Sequence, residues 1–249
     1  MSNKTNAEDH FITEEFVQDI LSGIHNLAEN EEAMEEAGTE DLEYVLGGGM
    51  AVQSYLMEGY SNKVKQGELN PNEISLDNVL RGTEDIDLGF YSENVDADTN
   101  IFMNALTNPT EGGFNGVSQK RGEASYTGKI RQGEGDRADS IIINAAGELK
   151  GASEQSYQEM FENRDLYSRG DTEFYRLNVE DLIASKLDGF VNNNGRQKDA
   201  EDAKNLLYFQ EDNIDQDYLQ NRIDQYESGE EMEQVLDSLN SERGIHTYQ

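Results

Sequence analysis

Cysteine is absent from this 249-residue chain, which excludes disulfides, thiolate nucleophiles and thiolate metal sites. Histidine is nearly absent: His10, His25 and His246 lie far apart, without the spacing of a zinc site. No run of 18 apolar residues occurs, and Met1 to His10 contain no apolar signal-like segment. The expectation is a cytoplasmic protein with no membrane partner. Basic residues are scarce too, 19 Lys and Arg against 52 Asp and Glu, for a formal charge of −33. With only 35% hydrophobic residues, that balance is ordinarily a signature of disorder.

What is present argues for a folded chain. Apolar residues are gathered in compact runs such as Tyr44-Val45-Leu46 and Ile141-Ile142-Ile143, and 12 Tyr and 9 Phe remain to fill a core. The acid is spread along the sequence rather than confined to a tail. Molar salt accounts for such a surface, because a Debye length of about 3 Å screens carboxylates from one another. The composition therefore points to a halophilic archaeon or its virus. In such a solvent the phosphate-neutralising part of nucleic-acid binding is weak for any protein, so net charge does not identify a partner.

Periodicity predicts a helix over residues 11–36, with Ile12, Phe16, Ile20, Ile24 and Leu27 at helical spacing, ended by Gly38-Thr39. A short strand, Leu42–Leu46, leads into Gly47-Gly48-Gly49 and a helix over Met50–Met57. A polar stretch over Gly59–Leu80 precedes a strand at Asp85–Phe90. A helix near Thr99–Leu106, a glycine loop at Glu111-Gly112-Gly113 and strands near Tyr126–Ile130 and Ser140–Asn144 complete this part. Helical patterns dominate afterwards, at Val179–Val191, Asp199–Phe209 and Glu230–Leu239, and no internal repeat is found. The reading is an α+β chain: an N-terminal helical segment at 1–39, a mixed-sheet core at 40–150 and a helical C-terminal region at 151–249.

Two motifs carry chemistry. A strand running through Gly47, Gly48 and Gly49 into a helix lets the backbone approach a ligand closely and aims helix-start amides at it, a setting for phosphate. It fits neither the P-loop nor the dinucleotide-binding fingerprint. Further on, Asp85-Ile86-Asp87-Leu88 alternates on a strand, so both carboxylates project together while Ile86 and Leu88 face inward. Like charges so held repel unless a cation lies between them, and Mg²⁺ held by paired carboxylates and substrate phosphates meets that need. Taken alone, each motif has a plainer reading, a tight turn and a solvated acidic strand.

Their order is what resembles a family. Strand, glycine turn, helix, then a strand bearing Asp-x-Asp is similar to the nucleotidyltransferases of the polymerase-β superfamily. Arg81 and Thr83 ahead of Asp85 narrow the resemblance to the AbiEii/AbiGii-type toxin nucleotidyltransferases. A second block supports it: Val179 to Leu187 with Lys186, then Arg196-Gln197-Lys198-Asp199-Ala200-Glu201-Asp202. The resemblance spans roughly residues 40–210. It implies a nucleotidyltransferase fold, a small mixed sheet flanked by helices with a helical C-terminal half. It implies Mg²⁺-dependent transfer of a nucleoside monophosphate from a nucleoside triphosphate to a hydroxyl of RNA, tRNA included, or of a protein, in a toxin or defence role with an antitoxin partner. Asp85, Asp87 and a third carboxylate, Asp139 or else Asp136, would hold metal. Gly47, Gly48, Gly49, Thr83, Lys186 and Asp202 would contact the nucleotide, and Lys186 and Asp199 would join Asp85 and Asp87 in catalysis.

The sequence departs from that family in its long stretch between Gly49 and Asp85, where Gly59–Val79 reads as an insertion. Lys120, Arg121, Lys129, Arg131 and Arg137 cluster against the acidic background, either to grip a polynucleotide or triphosphate or to pair with neighbouring acids. Tyr126 among them fits a packed strand residue or a base-stacking one. Rival readings are a non-catalytic binding module and a small-molecule nucleotidyltransferase.

Overall fold

The computed structural model describes residues 10–39, 41–109, 114–132, 139–147, 154–241 and 244–248. The loop Glu111-Gly112-Gly113, together with Asp136 and Arg137, lies outside the described residues. In chain order the first elements are α1 (Glu15–Ala28), α2 (Glu31–Ala37), β1 (Glu43–Leu46), α3 (Gly48–Gln66), α4 (Leu76–Val79), β2 (Asp85–Tyr91) and α5 (Val95–Leu106). There follow β3 (Gly116–Gly122), β4 (Ser125–Gln132), β5 (Asp139–Ala146), α6 (Glu154–Glu162), β6 (Asp165–Arg169) and β7 (Thr172–Arg176). The last are α7 (Val179–Asn192), α8 (Gln197–Phe209), α9 (Gln216–Asp224) and α10 (Gly229–Ser241). A mixed sheet flanked by helices is the expected class, and it is the one observed.

The chain divides into two compact units, each gathered from separated stretches. The first comprises Met1–Met50, Gly82–Glu148 and Leu166–Tyr175; the second comprises Ala51–Arg81, Leu149–Asp165 and Arg176–Gln249.

The sheet of the first unit has seven strands in the order β3-β4-β5-β2-β1-β7-β6. β2 runs parallel to β5 and antiparallel to β1, while β3, β4 and β5 are successively antiparallel. Alternation along β2 buries Ile86, Leu88 and Phe90 and leaves Asp85, Asp87 and Gly89 partly exposed on the opposite face. α5 covers the apolar face, with Phe102 packed on Phe90 at 5.0 Å between ring centroids and Met103 against Gly128 of β4. Each fully buried side chain of this size contributes about 1.5–3 kcal/mol.

α1 buries Phe16, Val17, Ile20, Leu21 and Ile24. It ends earlier than the single helix expected over 11–36, because Asn30 starts a new one by accepting a 3.1 Å hydrogen bond from the Ala33 amide. β3 was not anticipated, nor was the β6–β7 pair, which turns at Gly170 (φ +63) within the stretch read as helical.

In the second unit α7 packs against α8, α9 and α10, and Leu182, Ile183, Leu187, Leu206, Ile223 and Met232 of these helices are buried. The helix expected to stop at Met57 continues to Gln66. Gly59 does not break it; a Cβ there would meet the Phe209 carbonyl oxygen at 2.4 Å, so the glycine permits close packing. Arg222 is wholly buried, paired with Asp181 and with Glu159 at 3.1 Å, and donates to the Ser156 carbonyl at 3.0 Å. No helix among the described residues is long and apolar enough to cross a membrane.

Candidate active site

In the first unit β1 delivers Gly47, Gly48 and Gly49 directly beside β2. The Gly47 amide donates to the Asp87 carbonyl at 2.9 Å. Gly48 has φ +59, a left-handed conformation, and a Cβ built on it would lie 2.0 Å from Asp87 Oδ2. A Cβ on Gly49 would lie 2.8 Å from Thr83 Oγ1. The start of α3 is thus seated against the carboxylate pair, and the first amides of a helix lack intrahelical acceptors and favour anions.

Asp85 and Asp87 share the partly exposed face of β2. β5 supplies the group that lets them coexist. Asn144, opposite Asp87 in the parallel register, donates its Nδ2 to Asp85 Oδ2 at 2.9 Å and to Asp87 Oδ1 at 3.2 Å. Thr83 Oγ1 donates to Asp85 Oδ1 at 3.1 Å. Thr83 is itself fixed by a two-way backbone bridge to His10, at 2.8 and 3.0 Å. The His10 ring bonds the Ser140 carbonyl oxygen at 3.0 Å and Glu14 at 3.1 Å. Neither Asn144 nor His10 stands out in the sequence, because neither belongs to a motif; only strand register and the bridge bring them in.

Asp139 is a correction. It opens β5 and is exposed, five residues from Asn144, so alternation turns it to the opposite face from Asp85 and Asp87. Asn144 occupies the position next to the pair on β5. Among the described residues no group of three or more His, Cys, Asp or Glu is placed to hold a metal ion. What the site offers is two carboxylates flanked by the Thr83 hydroxyl, with the Asn144 amide nitrogen donating to both. Hard oxygen donors of this kind fit Mg²⁺, which commonly takes one or two carboxylates and completes its shell with water and substrate phosphate.

Lys186, Asp199 and Asp202 form a cluster of their own in the second unit. Lys186 Nζ lies 2.9 Å from Asp202 Oδ2 and 3.3 Å from Asp199 Oδ1, and all three side chains are buried. Arg81 forks onto Asp202 at 2.9 and 3.4 Å, Tyr248 donates to it at 3.1 Å, and Arg196 reaches Asp199 at 3.5 Å. Burial pushes the Asp202 carboxyl up, but the charges of Lys186 and Arg81 and their hydrogen bonds outweigh it and hold the group below its usual range. Burial also lowers Lys198, with help from the neighbouring charges of Arg196 and Arg81. Lys186 is therefore gripped by two carboxylates, and Gly189 packs closely on Asp199, where a Cβ would lie 3.1 Å from Oδ2.

No protein-family model matches the chain, and no curated protein matches it. Among solved structures it is similar to the crystal structure of an antigenic nucleotidyltransferase-like protein from Paracoccidioides brasiliensis. That likeness has a TM-score of 0.49 and 16% identity, over 92% of this chain and 93% of that one.

Proposed function

We propose that the first unit is a nucleotidyltransferase centre, one that moves a nucleoside monophosphate from a nucleoside triphosphate onto an acceptor hydroxyl. The observation that carries this reading is the contact of Gly48 with Asp87, a phosphate-seating turn built against a carboxylate pair with no space for even one methyl group between them. Gly48, Gly49 and the start of α3 would receive the triphosphate through backbone amides. Asp85 and Asp87 would hold Mg²⁺, with Thr83 and Asn144 fixing their orientation. When bound, the ion would neutralise phosphate charge and align the α-phosphate. The acceptor hydroxyl would pass its proton to a carboxylate of the pair or to water as its oxygen bonds to the α-phosphorus, the bond to the bridging oxygen would break, and pyrophosphate would leave. The toxin-type role with an antitoxin partner is supported by the residue motifs around Asp85 and Asp199.

Asn144 in place of a third carboxylate favours a second reading, a nucleotide-binding protein without transfer. α-Labelled nucleoside triphosphates, offered in KCl and Mg²⁺ with cellular RNA and with protein extract, separate the two. Wild-type protein is expected to label an acceptor, and Asp87→Asn to lower that labelling at least a hundredfold. Equal nucleotide binding by both proteins with no labelled product under any triphosphate selects the second reading.

A further inference from the structure

The face of the sheet that bears Asp85 and Asp87 continues past them onto β5, β4 and β3, all within the first unit. Register lays out two rows. Asp87 is followed by Asn144, Thr127 and Gln119; Asp85 is followed by Ile142, Lys129 and Val117. Arg131, opposite Ser140, stands two residues beyond Lys129 on the same face. By strand spacing the rows extend about 14 Å from β2 to β3, farther than a triphosphate seated at the glycine turn requires.

Two properties set this face apart. In a chain of charge −33, residues 114–132 hold Lys120, Arg121, Lys129 and Arg131 against Glu123 alone. The positions of β3, β4 and β5 that alternate with the α5-covered face carry no Asp or Glu at all, since Asp139 points the other way. Lys120 does not belong to the face: it follows Tyr126 to the α5 side and pairs with Asp96 at 2.5 Å. Lys129 and Arg131 make no ion pair among the described residues, and Gln119, Arg131 and Val117 are exposed, Val117 by 71%. A cationic, acid-free strip leading to a carboxylate pair complements a string of phosphates, while exposed Val117 gives an unpaired base an apolar rest.

We propose that this β3–β4–β5 face is the track on which a single-stranded polynucleotide acceptor lies, with Lys129 and Arg131 on its phosphates. This rests on the nucleotidyltransferase reading for its purpose, and on charge and register for its place. The test is binding of a fluorescent mixed-sequence single strand, as RNA and as DNA, with KCl varied from about 0.05 to 0.2 M. The doubly substituted Lys129→Glu/Arg131→Glu protein is expected to bind about tenfold or more weakly than wild type. Its salt slope should be shallower by about 1.4, near 0.7 for each lost contact. Lys65→Glu, one such reversal and half the charge change of the double variant, at an exposed residue of the second unit, should leave binding within about twofold. Lys129→Gln/Arg131→Gln serves if the reversal fails to fold, and Mg²⁺–ATP binding should be unchanged in every one of these variants.

Equal affinity and equal slope for wild type and either double variant overturn the track. So does a parallel loss of nucleotide binding, which would make the strip part of the triphosphate site. Tighter binding of RNA than DNA names the acceptor as RNA, and the reverse names DNA. If the track binds a strand and no nucleotide is transferred, the transferase reading fails alone. If nucleotide is transferred and Lys129 and Arg131 do not matter, the track fails alone.

Discussion

At φ +59 Gly48 occupies a conformation that costs an L side chain about 1–2 kcal/mol, and there a Cβ would also overlap Asp87 Oδ2 at 2.0 Å. Gly38 has φ +91 with nothing within 4 Å, so it carries the conformational cost without the overlap. Gly38→Ala should therefore lower unfolding free energy by about 1 kcal/mol, and Gly48→Ala by a further ~1–3 kcal/mol, since Asp87 has to give way. Urea denaturation of both variants reads the difference, and equal losses would show that Asp87 yields freely. Asn144 makes the opposite argument by charge. Its amide now donates to both carboxylates; Asn144→Asp would place a third anion beside them and remove those donors. The variant should melt at a lower temperature than wild type in the absence of divalent ions and show a larger rise on adding Mg²⁺. A melting temperature insensitive to Mg²⁺ in both proteins would count against an ion between Asp85 and Asp87.

At the scale of elements, α7 and α9 are joined by a pair that neither helix shows alone. Asp181, in the first turn of α7, and Arg222, near the end of α9, are both fully buried. Burial pushes the Asp181 carboxyl up to about 6, even though Arg222 pulls it back. A carboxyl that holds its proton more tightly folded than unfolded stabilises the fold fully below its unfolded value near 3.8, and that contribution is lost as pH rises through 6. The stability of wild type minus that of Asp181→Asn should fall between about pH 4 and pH 7. At about 1.36 kcal/mol per unit, the fall reaches up to ~3 kcal/mol. Denaturant titrations of both proteins across that range check it, and parallel pH profiles would remove Asp181 as the cause. The same scale shows what could be read in advance. β2 and its two outward carboxylates were legible because strict alternation leaves one reading, and β1 with its glycines because an apolar run met a turn. β3 was not, because Gly116–Gly122 is an edge strand of mostly polar residues that exists by pairing with β4. Asn144 was invisible for a related reason, since only the parallel pairing of β2 with β5, distant in sequence, sets it against Asp87. Lys186, Asp199 and Asp202 stood out in the sequence as one block, but not the ion pairs by which the two carboxylates grip the lysine, which depend on how α7 meets α8.

Across the whole molecule, the net charge of −33 governs how stability responds to salt. At low ionic strength the Debye length of about 10 Å lets surface carboxylates repel one another; at 1 M salt it is near 3 Å and the repulsion is largely gone. The folded state concentrates that charge in a smaller volume than the unfolded chain, so screening favours folding. Buried pairs such as Asp181–Arg222 and Lys186–Asp202 lie out of reach of mobile ions and contribute little salt dependence. The melting temperature should therefore climb steeply as KCl rises from about 0.1 to 1 M. NaCl at equal ionic strength should do nearly the same, since screening does not distinguish the two cations. Replacing exposed acids away from both clusters, for instance Glu230→Gln with Glu231→Gln at the start of α10, should raise stability at low salt. That gain should shrink toward zero at 1 M. Scanning calorimetry across a salt series for wild type and this variant makes the comparison. A flat dependence on salt would mean that the acids are held apart well enough in the fold, and the surface would then need a different explanation from molar salt. A strong preference for KCl over NaCl at equal ionic strength would instead indicate specific ion binding at carboxylates.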